Sequence, residues 1–342
     1  MKIKNKSRVV KKTTLLLLIL GIGIIAIINY RIPFFKPAGG PWSIGFGFSY
    51  TYPECHNFKK NKIYSFEELK KQISNTQFIA DPFFLKEKDS FYLFFEHKKI
   101  NDNQAVIGLL TSKDGQHYQY RGTVLKERFH LSYPQVFKYQ NEFYMLPESQ
   151  GSNHVLLYKA KRFPFGWKVC DTLLANTRLK DPTIYLSDTL KVLVGSDKNF
   201  KMHLYTADKL QGNWTLHSRP IVMEGSESRP GGRMFADKSG LLLPVQSFHK
   251  GYGSGLSVYR LKFDNNGYTV RKEKHLLLQS QADIKEFNAG MHHLDMQKIG
   301  NQYYSVYDGN QLDNDRKIFN YKAPILLNCL DLKDWCRQNL IY

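Results

Sequence analysis

The sequence predicts an all-β fold, a five-bladed β-propeller preceded by an N-terminal transmembrane signal anchor. The first observation behind this is internal repetition. Ala80-Asp81-Pro82-Phe83, Ser132-Tyr133-Pro134-Gln135, Lys180-Asp181-Pro182-Thr183 and Ser228-Arg229-Pro230-Gly231 are variants of one segment, with their prolines spaced by 52, 48 and 48 residues. The second is the character of the residues after them: alternating aromatic and aliphatic runs such as Phe91-Tyr92-Leu93-Phe94-Phe95 and Phe143-Tyr144-Met145-Leu146, each closed by a turn. A repeat of roughly 40–50 residues built from short strands is the mark of a propeller blade. The third is composition, since 23 Phe and 21 Tyr suit strands better than helices. A β-sandwich would not repeat a dipeptide at this spacing.

Taken in order, residues 1–12 are a basic cytoplasmic tail carrying Lys2, Lys4, Lys6, Arg8, Lys11 and Lys12. Residues 13–30 are the transmembrane signal anchor. No small-x-small cleavage pattern occurs at Ile27-Ile28-Asn29-Tyr30-Arg31, which favours an anchor over a cleaved signal peptide. The flanking cations keep the N-terminus cytoplasmic and put the propeller on the exported side, whether periplasmic, extracellular or luminal. Residues 31–77 are a linker and entry segment. Within it Trp42–Phe48 alternates with period two and reads as a strand. Ser65–Gln72 reads as a brief helix with Ser65 as N-cap and Glu67 and Glu68 in its first turn.

The propeller is expected over residues 78–328, with blades starting near Phe78, His130, Lys180, Ser228 and Gly290. Turns are expected at Lys113-Asp114-Gly115, Gln150-Gly151-Ser152, Asp264-Asn265-Asn266-Gly267 and Asp308-Gly309. The fifth blade, Gly290–Asp295 and Tyr303–Tyr307, keeps the strand-turn-strand form without the proline dipeptide. Ring closure is expected between a strand near Pro41–Tyr50 and one near Ala323–Asn328. Residues 329–342 form a C-terminal tail, helical near Leu330–Leu340.

The formal charge of +19 has a local part in the six cations before the anchor. The rest is scattered, without a basic helix or a zinc or RNA-binding motif, which argues against a nucleic-acid partner. A basic face suits acidic glycans, phosphate groups or anionic lipid headgroups. The cysteines at 55, 170, 329 and 336 permit an oxidising compartment without demanding one, and Cys329 and Cys336 are either a pair or two small buried residues. No cofactor is expected. No metal ligand set can be completed, a central Ca²⁺ or a water cluster being the alternative.

The repeated dipeptide puts a polar residue at the same place in successive blades, so Asp81, Asp181 and Arg229 converge on the axis. Asp-Pro also has a structural explanation, because proline is tolerated at a strand's first residue and Asp caps turns. Two carboxylates facing one another across a channel are the arrangement of glycoside chemistry, where one is base or nucleophile and a second group of raised pKa is the acid. Glu148, Glu227 and Glu96 are the candidate acids. Arg229 precedes Pro230-Gly231-Gly232, which lets backbone approach a ligand, and its guanidinium suits a carboxylate, a phosphate or sugar hydroxyls. The alternative is a structural ion pair with Asp81 or Asp181. Of His292 and His293, strand alternation turns only one inward.

As a set, Ala80–Phe83, Tyr92–Glu96, His130–Pro134, Tyr144–Glu148, Arg229–Gly232, Gln246, Tyr252-Gly253, Gly290–His293 and Asp308-Gly309 resemble the propeller domain N-terminal in plant glucosamine inositolphosphorylceramide transferases and their bacterial relatives. The resemblance spans about residues 75–310. It implies a five-bladed propeller similar to glycoside hydrolase families 43 and 32, with Asp81 at the base position and Asp181 at the modulator position. That family's acid, a Glu in a Glu-Gly-Pro-like motif, falls here at Glu227-Ser228-Arg229-Pro230. In the plant proteins sugar transfer belongs to a separate C-terminal domain for which this chain has no room.

Three functions fit these residues. The leading one is a membrane-anchored glycan-processing enzyme, glycosidase-like or glycosyl-transferring, acting on a glycan or glycolipid. Asp81 is its base, Asp181 the electrostatic partner and Glu148 or Glu227 the acid. Glu96, Arg229, Gln246, Tyr252, His292 and His293 hold the substrate. The second is a non-catalytic propeller that binds a glycan or lipid headgroup for a partner glycosyltransferase. In the third, a phosphorylase or transferase, Arg229 and a His hold phosphate.

Overall fold

The computed structural model describes the chain except residues 1, 52–57, 59, 218–220, 222–224, 265–266 and 341–342. Cys55, Glu224 and the Asn265-Asn266 turn tip therefore lie outside the described residues. The chain opens with α1 (Lys2–Arg31), in which Lys11–Arg31 is long and apolar enough to cross a membrane, its apolar part standing clear of the rest of the chain. The alternating Trp42–Phe48 run lies in β1 (Phe35–Ser49), followed by β2 (Lys62–Tyr64). Helix α2 (Phe66–Gln72) starts where expected: Ser65 Oγ accepts the Glu68 N–H at 3.3 Å, and Glu68 accepts the Ser65 N–H at 2.8 Å.

Blade one is β3 (Thr76–Glu87), β4 (Ser90–Lys99), β5 (Ala105–Ser112) and β6 (Gln119–Leu125). Blade two is β7 (Ser132–Tyr139), β8 (Glu142–Glu148), β9 (Val155–Arg162) and β10 (Phe165–Leu174). Blade three is β11 (Lys180–Leu186), β12 (Lys191–Ser196), β13 (Met202–Thr206) and β14 (Thr215–Leu216). Blade four holds β15 (Arg229–Pro230), β16 (Phe235–Asp237), β17 (Gly240–Ser247), β18 (Gly255–Asp264) and β19 (Gly267–Gln279). Blade five joins the chain's ends, in the order β20 (Leu294–Ile299), β21 (Gln302–Phe319), β1 and β2. Apolar clusters fill the gaps between blades, such as Phe83, Phe94 and Leu109 of blade one packed with Met145 and Trp167 of blade two.

Two expectations need correction here. The partner of β1 is β21, with Ile44 opposite Asp308, and not residues 323–328. Ala323–Asn328 lies in α3 (Lys322–Leu340), whose buried face repeats at helical spacing through Pro324, Leu327, Asn328 and Asp331. Asp308-Gly309 is also not a turn but mid-strand in β21, where a Cβ on Gly309 would strike the ring of Phe287. Cys329 and Cys336 lie on α3 as free thiols.

The proline dipeptides have a shared geometry. At Asp81-Pro82, Tyr133-Pro134 and Asp181-Pro182 the ladder with the next strand skips, and the residue before proline takes a φ of 51°, 50° and 48° respectively. Proline brings no N–H to the ladder, so a bulge there loses little hydrogen bonding. A positive φ on a non-glycine residue costs of order 1–3 kcal/mol, a strain found where a side chain must be aimed. Asp81, Tyr133 and Asp181 are all buried.

Candidate functional site at the propeller axis

Acidic residues follow the apolar runs of the second strands of several blades, beside these bulges. Glu96 sits opposite Ala80 and Glu148 opposite Ser132. In blade five, Asp308 follows Tyr303–Tyr307 as Glu96 follows Phe91–Phe95. Two of them reach across to the next blade: Asp308 Oδ2 accepts the Asp81 N–H at 3.0 Å, and Glu148 Oε2 accepts the Asp181 N–H at 2.9 Å. The strained bulge residues are thus clamped by the neighbouring blade's carboxyl group.

Arg229 grips Asp181 with two N–H groups, Nε to Oδ2 and Nη2 to Oδ1 (3.0 Å), and lies 3.7 Å from Glu148. Gln246 Nε2 donates to Asp181 Oδ2 at 2.6 Å and to the Pro230 carbonyl at 2.8 Å, which fixes the amide orientation and leaves its buried Oε1 without a partner. Burial first, then repulsion from Asp181, lifts Glu148 to about 7 against the pull of Arg229. Asp81 is raised well above the usual carboxylate range by burial and by Glu96, Asp181 and Asp308. Glu96 binds His130 Nε2 at 3.2 Å, and that hydrogen bond outweighs burial to raise the imidazole's pKa.

Both adjacent histidines flank Asp81, contrary to the expectation that only one turns inward. His292 Nε2 is 3.8 Å and His293 Nδ1 3.9 Å from Asp81 Oδ1. Residues 291–293 precede β20, so strand alternation does not govern them. His292 Nδ1 bonds Asp308 Oδ1 at 2.8 Å, its Nε2 meets the Tyr252 hydroxyl at 3.1 Å, and Trp42 stacks on its ring. Asp308 stays low because His292 overcomes the penalty of burial. His293 Nε2 lies 2.9 Å from the Pro82 carbonyl, which can only accept, so Nε2 carries the proton and Nδ1 is a bare lone pair. Burial holds His293 down at about 4, and Nδ1 has no partner. Asp81, His292 and Asp308 offer ligand atoms within 4.8 Å of one another. As they stand, Asp308's oxygens are taken up by His292 and the Asp81 N–H.

Glu227 is not part of this cluster. Its carboxylate takes hydrogen bonds from Ser257 Oγ (2.7 Å) and Tyr259 OH (2.6 Å) and an ion pair from Lys272 (2.9 Å), so it is held below the usual range although buried. A group so stabilised as an anion is a poor proton donor. Asp308 is the site member that sequence reasoning missed. Its signal was available, since it ends an apolar run in the register of Glu96 and Glu148.

The fold is a five-bladed propeller of the kind seen in solved glycosidase structures. A glycosyl hydrolase from Bacteroides ovatus superposes with a TM-score of 0.52 at 12% identity, covering 71% of this chain and 86% of that one. An α-L-arabinofuranosidase from Clostridium thermocellum gives 0.51 at 13%, covering 67% and 81%. The chain belongs to the family described as glucosamine inositolphosphorylceramide transferase 1, N-terminal, whose profile matches residues 59–310. It is 30% identical over 270 residues to glucosamine inositolphosphorylceramide transferase 1 of Oryza sativa subsp. japonica, covering 72% of this chain and 35% of that protein. With the Arabidopsis thaliana protein of the same name it shares 29% over 293 residues, covering 76% and 38%. The match therefore spans about a third of the length of these relatives.

Proposed function

We propose that the protein processes the headgroup of a membrane glycolipid, with the axial cluster as its acid–base centre. One observation carries this reading: Asp81, Glu148 and Asp181 share the charge of Arg229, Glu96 and Asp308 bear on Asp81, and burial with mutual repulsion raises Asp81 and Glu148. Glu148, poised at about 7, donates a proton to the departing glycosidic oxygen. Asp81, in its ionised form, takes the proton of the incoming hydroxyl or water, its raised pKa making it the stronger base. Asp181, fixed by Arg229, supplies the negative charge that raises Glu148. The unpaired acceptors Gln246 Oε1 and His293 Nδ1 suit the hydroxyl donors of a sugar. Glu96, Tyr252 and His292 line the same cluster.

The name of the relatives supports a glycolipid bearing an inositol phosphate as the substrate class. Lys11–Arg31 anchors the chain with its N-terminus cytoplasmic and the propeller exported. Digestion of the propeller by protease added to intact cells tests that orientation, and protection of the propeller overturns it. A second reading, a non-catalytic headgroup-binding propeller that assists a partner glycosyltransferase, is favoured by the unpaired acceptors Gln246 Oε1 and His293 Nδ1, which suit a bound sugar whether or not a bond is broken.

The test incubates the detergent-purified full chain with a membrane glycolipid fraction and follows sugars and lipids by mass spectrometry. Asp81→Asn and Glu148→Gln are expected to lower turnover about 10²- to 10⁴-fold with the fold retained. Unchanged turnover in both removes the acid–base reading. Binding without turnover in the wild type selects the second one.

A further inference from the structure

The root of the candidate anchor is built into the site. Arg31, the last residue of α1, donates to Asn328 at 3.1 Å and to Asp331 at 2.7 Å on α3. Asp331 in turn accepts the Ser226 N–H (2.8 Å) and hydroxyl (3.0 Å), three residues before Arg229. Ile32 is buried against Phe248 and Leu327, with Phe200 packed alongside. Between this junction and the axial cluster lies a cavity of about 190 Å³ that shares Arg229 and Tyr252 with the cluster.

Two further cations line it, Lys36 just beyond the anchor and Lys180 beside Asp181. The Lys36 ammonium lies 6.0 Å from the Tyr252 ring centroid and that of Lys180 5.6 Å from the Phe200 ring centroid. Neither ammonium has a hydrogen bond or ion pair to another described residue. Burial lowers the Lys36 pKa, so its charge is partly desolvated without a counter-ion. A partly desolvated cation on an aromatic face, with a second cation lining the same cavity, calls for an anion. The cavity is below the roughly 300–1,000 Å³ of pockets that enclose a drug-sized ligand. That size suits a headgroup fragment, with the rest of the molecule in the cluster on one side and the bilayer on the other.

We infer that this cavity binds the phosphodiester of a membrane lipid, clamped by Lys36 and Lys180 at the foot of the anchor, and so presents the attached sugar to the axial cluster. The occupant is a lipid and not free phosphate because Ile32, Phe200, Phe248 and Leu327 form an apolar wall continuous with the anchor's end. The presentation of the sugar rests on the glycolipid reading of the axial cluster, but the binding itself is separable.

Calorimetry on the full chain in detergent micelles tests it, titrating dioctanoyl phosphatidylinositol, dioctanoylglycerol, glycerophosphoinositol and inorganic phosphate in turn. The phosphodiester lipid is expected to bind well above the other three. Lys36→Gln and Lys180→Gln should each weaken it at least about tenfold, and Lys36→Arg should largely restore the loss seen at that position. Glu148→Gln should bind as the wild type does, so loss of turnover there with binding intact separates failure of catalysis from failure of this site. Equal affinity in wild type and the Lys36→Gln/Lys180→Gln variant, with matching thermal midpoints, overturns the inference. Inorganic phosphate binding as tightly as the lipid overturns it in favour of a soluble-anion site.

Discussion

Arg229 and Arg233 are four residues apart, and each holds a buried aspartate, yet their surroundings are opposite. Arg233 binds Asp295 through Nε (2.7 Å) and Nη2 (3.1 Å), and Nη2 also donates to the Val136 carbonyl at 2.8 Å. Asp295 Oδ2 accepts the Phe84 N–H at 2.9 Å. One cation and one anion from blades four and five thereby tie down the inner strands of blades one and two. Arg229 and Asp181 sit instead among further carboxyl groups, beside a bare imidazole nitrogen and an unpaired amide oxygen. The matched pair holds the ring together. The mismatched one stores protons and leaves acceptors for a ligand.

The largest expected effect breaks the matched pair. Arg233→Met leaves Asp295 buried without its cation and should cost about 3–5 kcal/mol of stability in urea unfolding. Arg229→Met should cost less, about 1–2 kcal/mol, because Asp81 and Glu148 beside it have raised pKa values and can hold protons that offset the lost cation. Equal losses would mean that the two pairs do the same job and that the axial cluster is merely structural.

The repeat makes most of the fold legible. A residue before proline every 48–52 positions marks the inner strands, and strand periodicity finds β1. The features that escape are long-range. Asp308-Gly309 has the composition of a turn, and only its pairing with Ile44 shows that it lies mid-strand. Glu227 looks equivalent to Glu148 in sequence, but the Tyr259 and Lys272 side chains that hold it as an anion lie on β18 and β19, beyond any local motif. Strand alternation misplaces His292 and His293 because it does not apply one residue outside a strand. The anchor's bond to Asp331 joins residues 300 apart and leaves no trace in local sequence.

A smaller effect follows from proton storage. Folding raises Glu148 from 4.5 to about 7, so between those values the folded state binds more protons than the unfolded one. Its contribution is complete below about pH 4.5 and is lost as pH rises through 7, in total about 3 kcal/mol. Chemical denaturation from pH 5 to pH 8 should show that decline in the wild type and a flatter profile in Glu148→Gln. Arg233→Met should keep the wild-type slope at a lower level, since the charges that set the Glu148 pKa are those of Asp181 and Arg229. A slope unchanged by Glu148→Gln would assign the titration to other groups.

The smallest effect tests whether the two arginine pairs are coupled through the backbone between them. Tyr133 occupies in blade two the strained position that Asp81 and Asp181 hold in blades one and three, but its side chain serves neither charge cluster. Its hydroxyl accepts the Gly232 N–H at 2.6 Å, lies 2.7 Å from Thr183 Oγ1, and so pins the peptide just before Arg233 to the strand that carries Asp181. Tyr133→Phe orphans the buried Gly232 N–H, which costs about 1–3 kcal/mol. If that peptide transmits position from one arginine to the other, Tyr133→Phe combined with Arg233→Met will lose less than the sum of the single changes, because the second change finds its partner already displaced. Tyr133→Phe should then also lower turnover while the phosphodiester lipid still binds. Strict additivity, with turnover unchanged, would mean that the matched pair and the acid cluster share an axis but not a mechanical link.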